Sequence, residues 1–287
     1  MSIFKAWVSL SLRTTNMPIN SQIFTAPDGL PSILDNSLNG LPQDIRRIIP
    51  TPEAVFVEPL QYNDLNTIVL LHGDGSDGSA TITDSALGGA HTWARSNQAQ
   101  IDTAQKKFGT GSILFDGSGD KVNSSTFNLA DLGAGDWTID CWVNINSWAT
   151  SHGCIFGEYT NNQNLLYWYL GTSGTSVFTH ATGGVFNIGG ISLPGGSLSL
   201  GIWYHLAIVR WGGTYSQYLN GELKMRVVDY DNITTSPSGG HNVGHFTNNG
   251  SSNFWQNGWI EEYRVSNVAR WTKSFTPQTI QYGTAPS

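Results

Sequence analysis

From Asn66 onward, apolar residues fall in short runs, alternating with polar residues or standing together, and each run is bounded by Gly, Asn, Asp or Ser. That pattern predicts strands over Thr67 to Leu71, Ser112 to Phe115, Thr138 to Ile145, Leu165 to Leu170, Tyr204 to Arg210, Ser216 to Leu219 and Trp259 to Val265. Successive side chains of a strand point to opposite faces. In Trp137 to Val143, Ile139, Cys141 and Val143 therefore share one face, and Thr138, Asp140 and Trp142 share the other. The first face suits a core; the second is a polar and aromatic mixture. In Leu165 to Leu170, Tyr167 and Tyr169 face opposite to Trp168, so at most one of these sets can line a binding face. Asn220-Gly221, between two runs, supplies the positive φ angles of a tight hairpin. The spacing suits an antiparallel sandwich, and no repeat of solenoid or propeller period is present.

The first 60 residues read differently. They hold seven of the eleven Pro but only two of the 33 Gly and one of the eleven Trp, which marks a boundary near Tyr62. So Pro-rich a segment, with no long periodic apolar pattern, stays extended until it meets a partner. The single helical hint is Leu41 to Ile49, where Pro42 fits a first turn and Ile45, Ile48 and Ile49 share a face. Ile3, Phe4, Trp7, Ile23, Phe24, Val55 and Phe56 make the segment more apolar than an inert spacer. Residues 1–62 are therefore predicted to be a docking arm, with a plain linker as the alternative, and residues 63–287 the folded domain.

Composition narrows the partners. Only 12% of the residues are charged and the net charge is -7, which excludes a nucleic-acid-binding surface. No apolar run approaches the 18 or more residues of a membrane span, so membrane insertion is not expected. The apolar stretch from Ala6 to Leu12 lacks a small-residue cleavage site, and no signal peptide is read there. Cys141 and Cys154 flank a predicted hairpin, which leaves a cross-strand disulfide open, while two buried thiols are the default for a protein made in a reducing cytoplasm.

Several segments, taken in order, carry a resemblance. They are Leu70-Leu71-His72-Gly73-Asp74, Phe108 to Asp120, Trp137 to Val143, Trp203 to Arg210, Tyr218 to Gly221, Gly258 to Ser266, and the closing Ala269-Arg270-Trp271 and Phe275-Thr276-Pro277. Together they resemble the LamG-like, concanavalin A-like jelly roll over Asn66 to about Tyr282. The resemblance implies an all-β, two-sheet antiparallel sandwich with faces about 10 Å apart. The closing Ser-Asn-Val-Ala-Arg-Trp-Thr is similar to versions found in tailed-bacteriophage virion proteins, where the domain follows an attachment segment.

Enzymes of this fold cleave β-glucans with carboxylates at alternate strand positions, because acid and nucleophile must flank one bond. None of the six Glu has Asp two residues later, and Glu261 and Glu262 are adjacent, hence on opposite faces of a regular strand. No Gly-x-Ser-x-Gly, phosphate-binding loop or His-Glu-x-x-His is present either, so no enzymatic activity is expected. His241 and His245 could share a strand face but lack a third zinc ligand, and His205 reads as a hydrogen-bonded sheet residue. The resemblance implies one structural Ca²⁺, held by Glu261 where relatives carry Asp, with carbonyls near Gly109 and the side chain of Asp74. The extra methylene of Glu261 moves its carboxylate outward. Asp116-Gly-Ser-Gly-Asp120 lacks Ca²⁺-loop spacing and reads as a Gly-rich turn.

A flat ring offers an apolar face to sugar C–H groups, so Trp142, Trp148, Tyr167, Trp168, Tyr169, Trp211, Tyr215 and Trp255 are candidates, of which Trp142, Trp148, Trp168, Trp211, Tyr215 and Trp255 are taken as the carbohydrate-binding set. The expected function is a non-enzymatic virion structural protein, made in the host cytoplasm and displayed on the particle surface. Its arm attaches to other virion proteins, and its domain binds host-surface polysaccharide by weak multivalent contacts, with a homo-oligomer such as a trimer in keeping with an apolar arm. The alternatives are a capsid cement or tail module that binds no sugar, and a secreted carbohydrate-binding or glucanase-like protein.

Overall fold

The computed structural model describes residues 23–25, 31–33, 63–148, 152–161, 164–231, 233, 240–248 and 252–283. The chain divides into two units, Met1–Val57 and Glu58–Ser287. In the first, β1 (Ile23–Thr25) and β2 (Pro31–Ile33) pair antiparallel with Phe24 opposite Ser32. The arm expected to be extended thus contains a hairpin at this point; the helix expected over residues 41–49 lies outside the described residues.

The second unit opens with β3 (Thr67–Leu71), β4 (Ala94–Ser96), β5 (Gln100–Asp102), β6 (Ser112–Asp116) and β7 (Lys121–Ser124). Longer strands follow: β8 (Trp137–Ile145), β9 (His152–Asn161), β10 (Asn164–Gly171), β11 (Thr175–Thr182) and β12 (Val185–Ser192). Then come β13 (Trp203–Trp211), β14 (Thr214–Leu219), β15 (Glu222–Val228), β16 (His241–Val243), β17 (His245–Asn248), β18 (Ser252–Trp255) and β19 (Asn257–Ser266). One sheet runs β12-β11-β10-β9-β16-β7-β4. The other runs β15-β14-β13-β8-β19-β6-β5, with β3 also paired to β19, and β17-β18 form a separate hairpin. All pairs are antiparallel, so the expected all-β sandwich is present. Every predicted strand forms, and Asn220 and Gly221 take φ of 49° and 78° between β14 and β15.

The alternation read from sequence places the core. Ile139, Cys141 and Val143 of β8, Leu166, Trp168 and Leu170 of β10, and Phe178 of β11 pack into one apolar cluster between the sheets. Trp137 meets Tyr215 edge-on at 5.6 Å and Phe156 meets Trp168 at 6.4 Å, the tilted geometry that suits the ring quadrupole. Burying side chains of this size contributes roughly 1.5–3 kcal/mol each.

Two expectations are corrected by topology. All nine residues of β8 are buried, including the mixed face, where Tyr282 caps Asp140 and Phe108 covers Trp142. The chain also crosses from one sheet to the other between β8 and β9, so residues 146–151 do not close a hairpin. Cys141 lies in the central core, Cys154 lies in a cluster with Leu165, Ala181 and Phe246, and both are free thiols.

Candidate functional site

The six ring residues picked from sequence do not converge. Trp168 and Tyr215 are fully buried core residues, and the Trp168 indole N–H donates to Ser176 Oγ at 2.7 Å. Neither ring can reach a sugar. Trp142 is buried on the outer side of the eight-stranded sheet beneath Phe108, with the Lys107 ammonium 4.4 Å from its ring. Trp148 packs against the central core. Trp211, 55% exposed, ends β13 in the eight-stranded sheet. Trp255 stacks on His245 at 3.8 Å within the β17–β18 hairpin.

An aromatic face does form, on the residues that alternate with Trp168. Tyr167 and Tyr169 point outward from the seven-stranded sheet, only part-buried, their rings 5.7 Å apart and 27° from parallel. His152 of β9, opposite Gly171 in the register, lies edge-on to Tyr169 at 4.9 Å and 88°. Phe254 closes the cluster, 4.7 Å from His152 and 5.3 Å from Tyr169. It comes from the β17–β18 hairpin, whose Phe246 stacks on Tyr167 at 4.2 Å and so anchors the hairpin to the sheet. Gly157 makes the seat, since a β-carbon there would fall 2.6 Å from Phe246 Cβ and 2.8 Å from the His245 carbonyl. His152 Nδ1 has no hydrogen-bond partner, and burial lowers the imidazole pKa, so the ring is neutral at neutral pH.

Strict alternation already puts Tyr167 and Tyr169 on one face; His152 joins them only because β9 is bulged at Ile155, which turns Phe156 and Glu158 inward although they share its parity. Phe254 and Phe246 carry no such signal, because their place depends on a hairpin folding over a strand almost 90 positions earlier in the chain.

The carboxylates lie elsewhere. Glu158, the acidic residue of β9, turns inward, accepting from Leu129 N at 2.8 Å and paired with His241 Nδ1 at 2.7 Å. His241 also bonds Tyr263 through Nε2, and both His241 and His245 are buried. His205 faces Asp140 at 3.3 Å inside the protein, as expected.

Glu261 and Glu262 depart from regular alternation. A bulge leaves Glu262 and Tyr263 opposite Cys141 alone, and Glu262 takes φ of 54°. Ile260 and Tyr263 both enter the core, so the two glutamates between them lie on the same outer side. The Glu261 oxygens accept from Lys107 N at 2.5 Å and Phe108 N at 2.6 Å. Glu262 meets His72 Nδ1 at 2.5 Å and accepts from Tyr282 N at 2.7 Å. Asp74 accepts from Thr110 N and Oγ1 and from Gln281 Nε2. Gly109 backs onto Asp74, since a β-carbon there would sit 2.3 Å from Oδ1. Burial pushes the Glu261 carboxyl up to about 8, the charges of Glu262 and Asp74 adding to it while the two amides pull it down. Burial would lower His72, but its bond to Glu262 and that group's charge outweigh it and raise the imidazole.

This donor set does not fit the calcium implied by the resemblance. Ca²⁺ needs six to eight oxygens with lone pairs turned toward it. Here both Glu261 oxygens face amide N–H groups and both Asp74 oxygens face protein donors. Among the described residues, no group of three or more His, Cys, Asp or Glu is arranged to hold a metal ion.

The two packed antiparallel sheets define a concanavalin A-like jelly roll. The chain belongs to the concanavalin A-like lectin/glucanases superfamily, whose Laminin_G_3 family model matches residues 116–277. No curated protein matches the sequence. Among solved structures, the crystal structure of the botulinum neurotoxin serotype D binding domain is similar at 16% identity and a TM-score of 0.54, covering 71% of this chain and 49% of that one. The binding domain of botulinum neurotoxin DC in complex with rat synaptotagmin II is similar at 15% identity and a TM-score of 0.51, covering 71% and 48%. This chain thus spans about half the length of those toxin domains. Domain 4 of AbnA, a GH43 extracellular arabinanase from Geobacillus stearothermophilus, in complex with arabinotriose, is similar at 18% identity and a TM-score of 0.50, covering 71% and 93%. At these identities the likeness is one of fold.

Proposed function

We propose that this chain is a non-enzymatic glycan-binding protein of a phage particle, with residues 1–62 attached to other virion proteins and residues 63–287 presented to host-surface polysaccharide. The observation that carries the glycan reading is the outward Tyr167–Tyr169 stack with His152 and Phe254 beside it. The outward rings give pyranose C–H groups an apolar platform. The arabinotriose complex of the AbnA domain supports sugar binding on this fold. Glycoside hydrolysis needs two carboxyl groups flanking one bond, and β9 gives this face none, because Glu158 is engaged inside the protein. The closing Ser-Asn-Val-Ala-Arg-Trp-Thr and the Pro-rich start support the virion setting. Assembly into a symmetric oligomer such as a trimer would turn weak single sites into durable attachment.

The test is binding of the fluorescent full-length chain to host cells with and without surface polysaccharide, beside Tyr169→Ala. Polysaccharide-dependent binding that the substitution weakens about tenfold, ~1.4 kcal/mol, is the expected result. Polysaccharide-independent behaviour of both proteins at high concentration overturns the glycan reading and leaves a spacer or cement role.

A further inference from the structure

Glu261, Glu262 and Asp74 carry six carboxyl oxygens among them, and every one is engaged by a donor of the chain itself. The partners lie on three separate segments: His72 just after β3, Lys107, Phe108 and Thr110 between β5 and β6, and Gln281 and Tyr282 near the end of the described chain. A structural cation at this rim would join such segments by drawing their oxygens inward. The chain reaches the same end with the opposite polarity, by turning N–H groups onto carboxyl oxygens.

We propose that this rim is a cation-free clamp, in which the Glu261 carboxyl closes the 103–111 connection onto β19 and the domain is structurally independent of calcium. The glutamate is what makes this possible. One methylene longer than aspartate, it extends its two oxygens to two consecutive amides, which then cannot face a metal ion. The bulge brings Glu262 to the same side, so that a second carboxylate ties the start of the domain, through His72, to its end, through Tyr282. Lys107 adds a further anchor by resting its ammonium over Trp142.

The experiment follows thermal unfolding of the full chain in 1 mM CaCl₂ and in EDTA, together with Tb³⁺ luminescence sensitised by the nearby Trp142. A site half-filled near 10 μM would raise Tm by roughly 5–10 °C in calcium. The clamp predicts the same Tm in both buffers, no saturable sensitised emission, and a lower Tm for Glu261→Asp in both buffers alike. A calcium-dependent rise in Tm of the unsubstituted chain, or saturable micromolar Tb³⁺ emission, overturns it. So does a Glu261→Asp chain with unchanged Tm. The readout is stability rather than sugar binding, so its outcome is separate from that of the glycan reading.

Discussion

Asp140 and Arg264 meet inside the protein, Arg264 Nε 2.9 Å from Asp140 Oδ1, with neither side chain open to water. The guanidinium also lies 3.7 Å from the Tyr282 ring centroid, and the Tyr282 hydroxyl donates to Asp140 Oδ2 at 2.6 Å. Removing one member strands a buried charge, so Asp140→Ala is expected to cost about 3–5 kcal/mol in urea unfolding. A smaller loss than that of an exposed control such as Glu222→Ala would show that the pair does not hold the C-terminal segment.

The same group sets an acid limit. Burial alone would raise the Asp140 carboxyl, but Arg264, His205 and Tyr282 outweigh it and hold it below the usual carboxylate value. A lowered folded pKa stabilises the protein above 3.8, and that contribution is lost as the pH falls through the lowered value. The urea midpoint should therefore drop steeply below about pH 4, and less steeply in Asp140→Asn.

Trp168 and Tyr169 are neighbours with opposite roles. Trp168→Ala empties part of the core and is expected to cost about 3–5 kcal/mol, whereas Tyr169→Ala should keep the fold and lose sugar affinity. Near-UV circular dichroism beside a glycan-binding assay separates the two; equal losses of structure would refute the assignment of the outer face.

His152 gives that face a pH dependence. Its folded pKa is lowered by burial, so its contribution to stability is present above 6.5 and lost as the pH falls through the lowered value. Protonation also places a charge among Tyr169 and Phe254. Glycan affinity should fall between neutral pH and pH 5, and His152→Phe should bind with a flat profile. A chemical-shift titration of the imidazole would follow the group directly.

Burial raises both Cys141 and Cys154 well above the ordinary thiol range. Neither should react with a thiol reagent in the native state, and both should react after unfolding. Mobility on a gel should be the same with and without reductant.

The strands were legible because alternation is local: β8 and β10 each declare two faces within a few residues. Alternation alone also separated Tyr167 and Tyr169 from Trp168. It could not say which face was which, nor that the mixed face of β8 would be buried under Phe108 and Tyr282. The six ring candidates scattered for that reason, since ring chemistry is the same in a core and on a surface. Glu261 and Glu262 were assigned to opposite faces by a rule that fails at a bulge, and the bulge is visible only in the pairing of β19 with β8.

The sequence by itself determined the family, the strand positions, the turn at Asn220-Gly221 and the change of composition near Tyr62, all of which depend on residues close together in the chain. Only the tertiary structure decided which aromatic rings remain outside, that the two cysteines occupy different clusters, and that the carboxylates of one rim bind amides. Each of these depends on which distant segment covers a given face. Burial of that kind is a property of the assembled sheets and cannot be read from any single strand.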